Sequence, residues 1–112
     1  MENKIKQLSQ AVEQSPVAIV ITNTTGEIEY VNPKFIETTG YELDEVLGKT
    51  PRILKSGHTS DKEYKQLWET LTSGNEWFGE FHNKKKDGTL YWESASISPI
   101  LNAQEKTTHY IA

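Results

Sequence analysis

Catalysis requires reactive side chains at chemically useful spacings, and this chain offers few. Its histidines, His58, His82 and His109, stand far apart, and no His-x-x-x-His pair exists to set two imidazoles on one helical face for a metal. They read as solvent-facing polar residues. Cysteine is absent, which removes disulfides, cysteine-ligated zinc and thiol nucleophiles. No serine occupies a Gly-x-Ser-x-Gly elbow. The Gly-x-Gly-x-x-Gly and Walker phosphate loops are missing as well. No catalytic residue and no metal site is expected, and the chain reads as a binding module rather than an enzyme.

Composition narrows this further. A chain of 112 residues is one domain. A hydrophobic content of 35% with 25% charged residues suits a small globule with a modest core. The net charge of −4 argues against a nucleic-acid partner, because phosphate contacts need a positive face. The single basic run, Lys84-Lys85-Lys86, reads as a solvated turn. No apolar run approaches the ~18 residues that span a membrane, and the first residues lack the apolar stretch of a signal peptide. A cytoplasmic domain is expected, whether or not its parent protein is membrane-attached. The sequence stops at Tyr110-Ile111-Ala112, inside an expected strand, so it reads as a domain cut from a longer protein with its last strand shortened.

The elements that must position any binding residues follow from periodicity. Residues 3 to 14 read as a helix, with Ile5, Leu8 and Val12 at a/d-like spacing and Pro16 ending it. This stripe is too small to stand alone, so residues 1–14 are expected to flank the domain of residues 15–112 and to pack on it or on a second copy. Val17 to Thr22 reads as a buried strand, Asn23-Thr24-Thr25-Gly26 as a turn and Glu27 to Val31 as the returning strand. Asn32 can cap a helix beginning at Pro33, with Phe35 and Ile36 inward and Gly40 at its end. Leu43, Val46 and Leu47 suggest one further turn. Ser60 and Glu63 form a capping-box pattern before Tyr64, Leu67, Trp68 and Leu71, which share one helical face. Strands are expected over about 76–84, 89–99 and 107–112. Short helices between strands 2 and 3 of an antiparallel sheet make an α+β fold.

The hairpin Asn83-Lys84-Lys85-Lys86-Asp87-Gly88-Thr89-Leu90-Tyr91-Trp92-Glu93 carries the most specific signature, with Asp-Gly supplying the positive backbone angles of a tight turn. Trp77-Phe78-Gly79-Glu80-Phe81-His82-Asn83 runs into it. Upstream stand Asn32-Pro33-Lys34-Phe35, Thr39-Gly40-Tyr41 and Leu47-Gly48-Lys49-Thr50-Pro51-Arg52-Ile53-Leu54. This order resembles a PAS domain, a small sensory module, from about Ser15 to Ala112. It is most similar to the flavin-binding branch: the FAD domains of nitrogen-fixation and methane-oxidation regulators, and the light-oxygen-voltage domains.

The resemblance implies a ligand held between the inner sheet face and the intervening helices, with FAD or FMN as the cofactor. Asn83 then matches a strand asparagine that bonds the flavin pyrimidine edge, where a carboxamide offers donor and acceptor together. Trp68 matches a tryptophan beside the isoalloxazine, able to stack and to donate its N–H; it belongs equally to the apolar stripe of its helix. Arg52 matches an arginine that binds the flavin phosphate. Glu93 matches a second asparagine of the light-sensing branch, and counting by twos puts Tyr91, Ala95 and Ile97 on its face. A pocket bounded by Val20, Ile36, Trp68, Asn83, Glu93 and Ala95 is expected, with Trp92 on the outer face as a platform for the N-terminal helix or for a homodimer partner. Pro51 stands where the light-sensing branch has its photoreactive cysteine, so a flavin–thiol adduct is chemically impossible. In the FAD branch that position can carry a glutamate and the first strand a serine; Pro51 and Val20 supply neither. The pocket could instead hold another aromatic or fatty molecule, or none. The expected function is a sensory ligand-binding domain of a bacterial sensor protein, a histidine kinase or cyclic-dinucleotide enzyme, with its effector domain elsewhere in the parent chain. The alternative is a ligand-free dimerisation and relay module.

Overall fold

Polar turns set the register of a five-stranded antiparallel sheet. In the first, the Asn23 carboxamide oxygen accepts from the N–H groups of Thr25 (3.0 Å) and Glu27 (2.9 Å), while Gly26 adopts φ 89°. β1 (Val20–Asn23) thereby folds back into β2 (Ile28–Val31). In the second, the Asp87 carboxylate accepts from the Thr89 N–H at 2.9 Å, joining β3 (Trp77–Lys84) to β4 (Leu90–Leu101). The positive angle here belongs to Gly88 alone, at φ 91°, so Asp87 contributes through its side chain and not through its backbone. A type I turn closed by a left-handed glycine works this way. Asn102 repeats the Asn23 device ahead of β5 (Thr107–Ile111), accepting from Gln104 and Lys106 at 2.9 and 3.0 Å. The strand order is β2-β1-β5-β4-β3.

The computed structural model describes residues 10–55, 57 and 61–112, excluding the side chains of Arg52 and Asp61. Residues 10–13 are helical; Ile5, Leu8, His58 and the Ser60 half of the expected capping box lie outside the described residues. Between β2 and β3 come α1 (Pro33–Thr39), α2 (Leu43–Val46), a 3-10 turn (Pro51–Leu54) and α3 (Asp61–Thr72). α1 begins as the Asn-Pro pair dictates: Asn32 is extended, its side chain accepts from the Phe35 N–H, and Pro33 takes the first turn. Gly40 closes the helix in the left-handed region at φ 82°. The hairpin loop docks back onto these helices through the Lys86–Glu45 ion pair and a 2.8 Å bond from the Lys86 N–H to the Thr39 carbonyl.

β1 starts at Val20, not Val17. Apolar, β-branched composition suggested strand, but the Asn32 side chain takes the backbone groups that a strand would need: Ile19 N–H donates to Oδ1 (2.8 Å) and Nδ2 donates to the Val17 carbonyl (3.0 Å). Leu47 is exposed, because α2 ends at Val46 and only Val46 points wholly inward.

The core is divided. Ile28, Val31, Phe35, Val46 and Leu54 form one buried cluster under β2 and the short helices. Leu67, Leu71 and Tyr110 form a second between α3 and the sheet, with Trp77, Phe81 and Ile97 against it. A domain of this size ordinarily has one contiguous core; here the space between the two clusters is a cavity.

Candidate functional site

The floor of that cavity is the inner face of β3 and β4. Strand alternation aims Trp77, Gly79, Phe81 and Asn83 to this side, paired with Ile97, Ala95, Glu93 and Tyr91. Burial follows the same period: these residues are buried or half-buried, while Phe78, Glu80, Trp92 and Ser94 between them are exposed. The Glu93 face is therefore the inner one, and Trp92 lies outside at 70% exposure with the His82 ring stacked on it at 4.4 Å.

The cavity measures about 800 Å³, and both core clusters contribute to its walls. It is partly open to the surface, so water or a ligand occupies the space. One wall is aromatic. Tyr64 stacks near Phe81 at 6.0 Å, and Trp68 meets Tyr110 edge-on at 5.9 Å. Val17, Ala18, Ile19 and Val20 line the cavity as well, held in place by the four bonds of the fully buried Asn32 side chain to Val12, Val17, Ile19 and Phe35.

Trp68 has a different position from that implied by its helical stripe. Leu67 and Leu71 fill the core, while Trp68 is 41% exposed. Its ring reaches across to the β1–β2 turn, where a Cβ on Gly26 would sit 3.5 Å from it. Trp68 thus lies at the cavity's edge, between α3 and that turn.

The polar pole sits on the floor. Asn83 Nδ2 donates to Glu93 Oε2 at 3.0 Å, the diagonal contact that antiparallel neighbours permit. Burial raises the pKa of the Glu93 carboxyl, and the Asn83 amide offsets only part of that rise. On the same face, burial pushes the Tyr91 phenol up to about 12, with the nearby Glu93 charge adding to it. The Tyr91 hydroxyl is buried and completes no hydrogen bond, although the Asn83 amide is near enough to pull its pKa slightly back. Strand alternation puts Tyr91 on this face, and nothing else in the sequence singles it out. Its place two residues before Glu93 was the available signal. Lys55, whose backbone bridges Asn83, holds its ammonium 4.7 Å over the Tyr64 ring.

Of the residues expected at the pocket, Val20, Trp68, Asn83, Glu93 and Ala95 all line it. Ile36 does not: it packs against the Ile28–Phe35–Val46 cluster, because α1 presents Phe35 to the cavity and Ile36 to the helical layer beside it. Arg52 is in the 3-10 turn beside the lining residue Pro51, and its side chain lies outside the description. His109 bonds Glu29 across the sheet at 2.9 Å, and neither His109 nor His82 lines the cavity. Among the described residues no group of three or more His, Asp or Glu could hold a metal.

A flat heterocycle fits this arrangement. Its volume lies within the ~300–1,000 Å³ of small-molecule sites, mostly apolar with a few convergent polar groups. The Asn83–Glu93 pair and the orphaned Tyr91 hydroxyl could read a donor–acceptor edge, and the aromatic wall could cover a ring face. Val20 and Pro51 both line the site and offer it no side-chain hydrogen bond.

Regulatory and light-responsive proteins are among those the chain resembles. The chain is 41% identical over 101 residues to a nitrogen fixation regulatory protein of Klebsiella oxytoca, covering 90% of this chain and 20% of that protein. It is 30% identical over 105 residues to a blue-light-activated histidine kinase of Brucella canis, covering 91% and 22%. The chain thus spans about a fifth of the curated relatives it matches. Among solved structures, an RNA-binding light-oxygen-voltage receptor superposes with a TM-score of 0.89 at 29% identity, over 96% of this chain and 31% of that one. The family model for the PAS fold matches residues 6–112, and the chain belongs to the PAS family.

Proposed function

We propose that this PAS domain is the sensory, ligand-binding unit of a longer signalling protein, and that its ligand is a flavin, FAD or FMN. The observation that carries the reading is the split core: an ~800 Å³ cavity between two hydrophobic clusters, with a buried carboxamide–carboxyl pair on its floor. A bound flavin would supply reversible redox chemistry. In this reading Asn83 and Glu93 hold the pyrimidine edge, Trp68 covers the ring from the rim, and Arg52 meets the phosphate. The similarity to a nitrogen fixation regulatory protein and to a blue-light-activated histidine kinase supports a sensor parent, and a kinase or cyclic-dinucleotide output is part of the proposal. Without cysteine, light-driven thiol adduct formation is excluded, which leaves redox state or occupancy as the signal.

In the same proposal residues 1–14 flank the domain of residues 15–112 and join two copies, with the outer sheet face as a second contact. The exposed Phe78, Leu90 and Trp92 support that surface. Among the described residues no helix is long and apolar enough to cross a membrane.

The test is direct. The purified chain is denatured and the released small molecule identified by mass spectrometry, and the ligand-free chain is then titrated with FAD and FMN. Flavin release or saturable uptake is the expected result. Asn83→Ala should weaken binding by roughly 5- to 150-fold, the equivalent of about 1–3 kcal/mol for a lost buried partner. Absence of both release and uptake would overturn the flavin reading in favour of a ligand-free relay module.

A further inference from the structure

The carboxyl at the pole stands in unusual surroundings for an anion. Glu93 reaches the cavity from the middle of β4, and its Oε2 accepts a single neutral donor, Asn83 Nδ2, at 3.0 Å. Among the described residues, the groups around it supply no compensating charge. On β3 it is paired with Phe81 and bonded to Asn83. On its own strand the neighbour on the same face is Tyr91, which burial keeps neutral to about 12. The cations that line the cavity are Lys55, whose backbone bridges Asn83 after the 3-10 turn, and Lys65 on α3. Neither lowers the Glu93 pKa; burial raises it and only the Asn83 amide opposes that. Lys55 is turned to the Tyr64 ring.

A ligand entering this cavity removes water from Glu93 and makes its charge costlier still. What the ligand presents decides the outcome. A flavin edge carries carbonyl oxygens beside its N–H. A carboxylate would repel such an oxygen, whereas the acid can donate to it. We propose that Glu93 meets its ligand as a neutral acid, donating to a ligand carbonyl, so that filling the cavity takes up one proton from solvent. This rests on the flavin reading above. It makes occupancy sensitive to pH, and it gives Glu93 a function that an amide at the same position would lack.

The experiment measures the affinity of the ligand-free chain for riboflavin and FMN by flavin fluorescence quenching, from about pH 5 to about pH 9. Calorimetry in buffers of different ionisation enthalpy counts the protons in parallel. The expected result is an affinity that falls about tenfold per pH unit above the Glu93 midpoint, with uptake of about one proton in that range. Riboflavin has no phosphate, so a slope shared by both ligands excludes phosphate titration as its source. Glu93→Gln, which keeps a donor, should still bind and lose the pH slope. If that variant fails to fold, the proton count on the unmodified chain decides alone. Flavin binding with a flat pH profile and no proton uptake would overturn the role of Glu93 and leave the flavin reading intact. A slope that persists in Glu93→Gln would do the same. No flavin binding at any pH would overturn the flavin reading, and this inference with it.

Discussion

Replacing Asn32 by alanine should remove a large part of the stability of this domain. The side chain has no solvent exposure and uses its full hydrogen-bonding capacity. Oδ1 accepts from Ile19 N–H at 2.8 Å and Phe35 N–H at 3.1 Å; Nδ2 donates to the Val12 and Val17 carbonyls at 3.0 Å each. The losses are unequal. Loss of the helix cap costs about 1 kcal/mol, and it is no larger because the Phe35 N–H retains the Asn32 backbone carbonyl at 3.1 Å. Stranding the Ile19 N–H costs about 1–3 kcal/mol, and the two carbonyls add roughly 0.5 kcal/mol apiece. The sum is about 3–5 kcal/mol, against a total of roughly 6–17 kcal/mol for 112 residues. Urea denaturation at constant m-value measures it. Asn32→Ser, which keeps only the cap, should recover about 1 kcal/mol. Amide exchange at Ile19 should accelerate in both variants, since neither can accept from it. A loss below about 1.5 kcal/mol in the alanine variant, or identical losses in the two, would refute this account of how the cavity wall is held.

Other perturbations probe the floor and rim. Burial raises the folded pKa of Glu93 above its unfolded value, so the ligand-free domain loses stability as pH rises from the ordinary carboxylate range through that folded pKa. Glu93→Gln should then melt higher than the unmodified chain at neutral pH, with the gain vanishing below about pH 4; a lower melting temperature at neutral pH would contradict the burial argument. Gly79→Ala would place a Cβ 2.3 Å from the Trp77 ring, which should cost about 1–3 kcal/mol by overpacking and alter tryptophan fluorescence as the indole is displaced. Trp68→Ala should destabilise less than Leu67→Ala, which removes a core side chain at about 2–5 kcal/mol. It should nevertheless weaken flavin binding by roughly 2- to 10-fold through lost ring contact.

What could be read in the sequence was local or periodic. The Asn-Pro helix start, the glycine that ends α1, and the inward side of β3 and β4 each follow from a few adjacent residues, and the structure has them all. The period of two was enough to aim Asn83 and Glu93 at one face once a matched motif chose which face. Long-range side-chain bonds were not legible. Asn32 was visible as a cap, but its bonds to Val12, Val17 and Ile19 join residues 13 to 20 positions apart. Those bonds convert an apparent strand at Val17–Ile19 into an irregular cavity wall. The position of Trp68 failed for a related reason: a helical stripe has a centre and an edge, and only packing against β5 and Gly26 shows which residue is at the edge. The cavity is a gap between two clusters, a relation among residues far apart in sequence that no pattern encodes.

The central claim is that a ligand enters between the two core clusters and touches the inner face of the sheet. Three tryptophans make this testable in one nitrogen–proton correlation spectrum of the labelled chain. Trp68 lines the cavity, Trp77 packs on the inner face, and Trp92 is on the outer face. On addition of FMN, the account predicts large shifts of the Trp68 indole N–H and the Asn83 side-chain amide, with the Trp92 indole N–H unmoved. Shifts concentrated on Trp92, or no shift at Asn83 and Trp68 at saturating flavin, would contradict it.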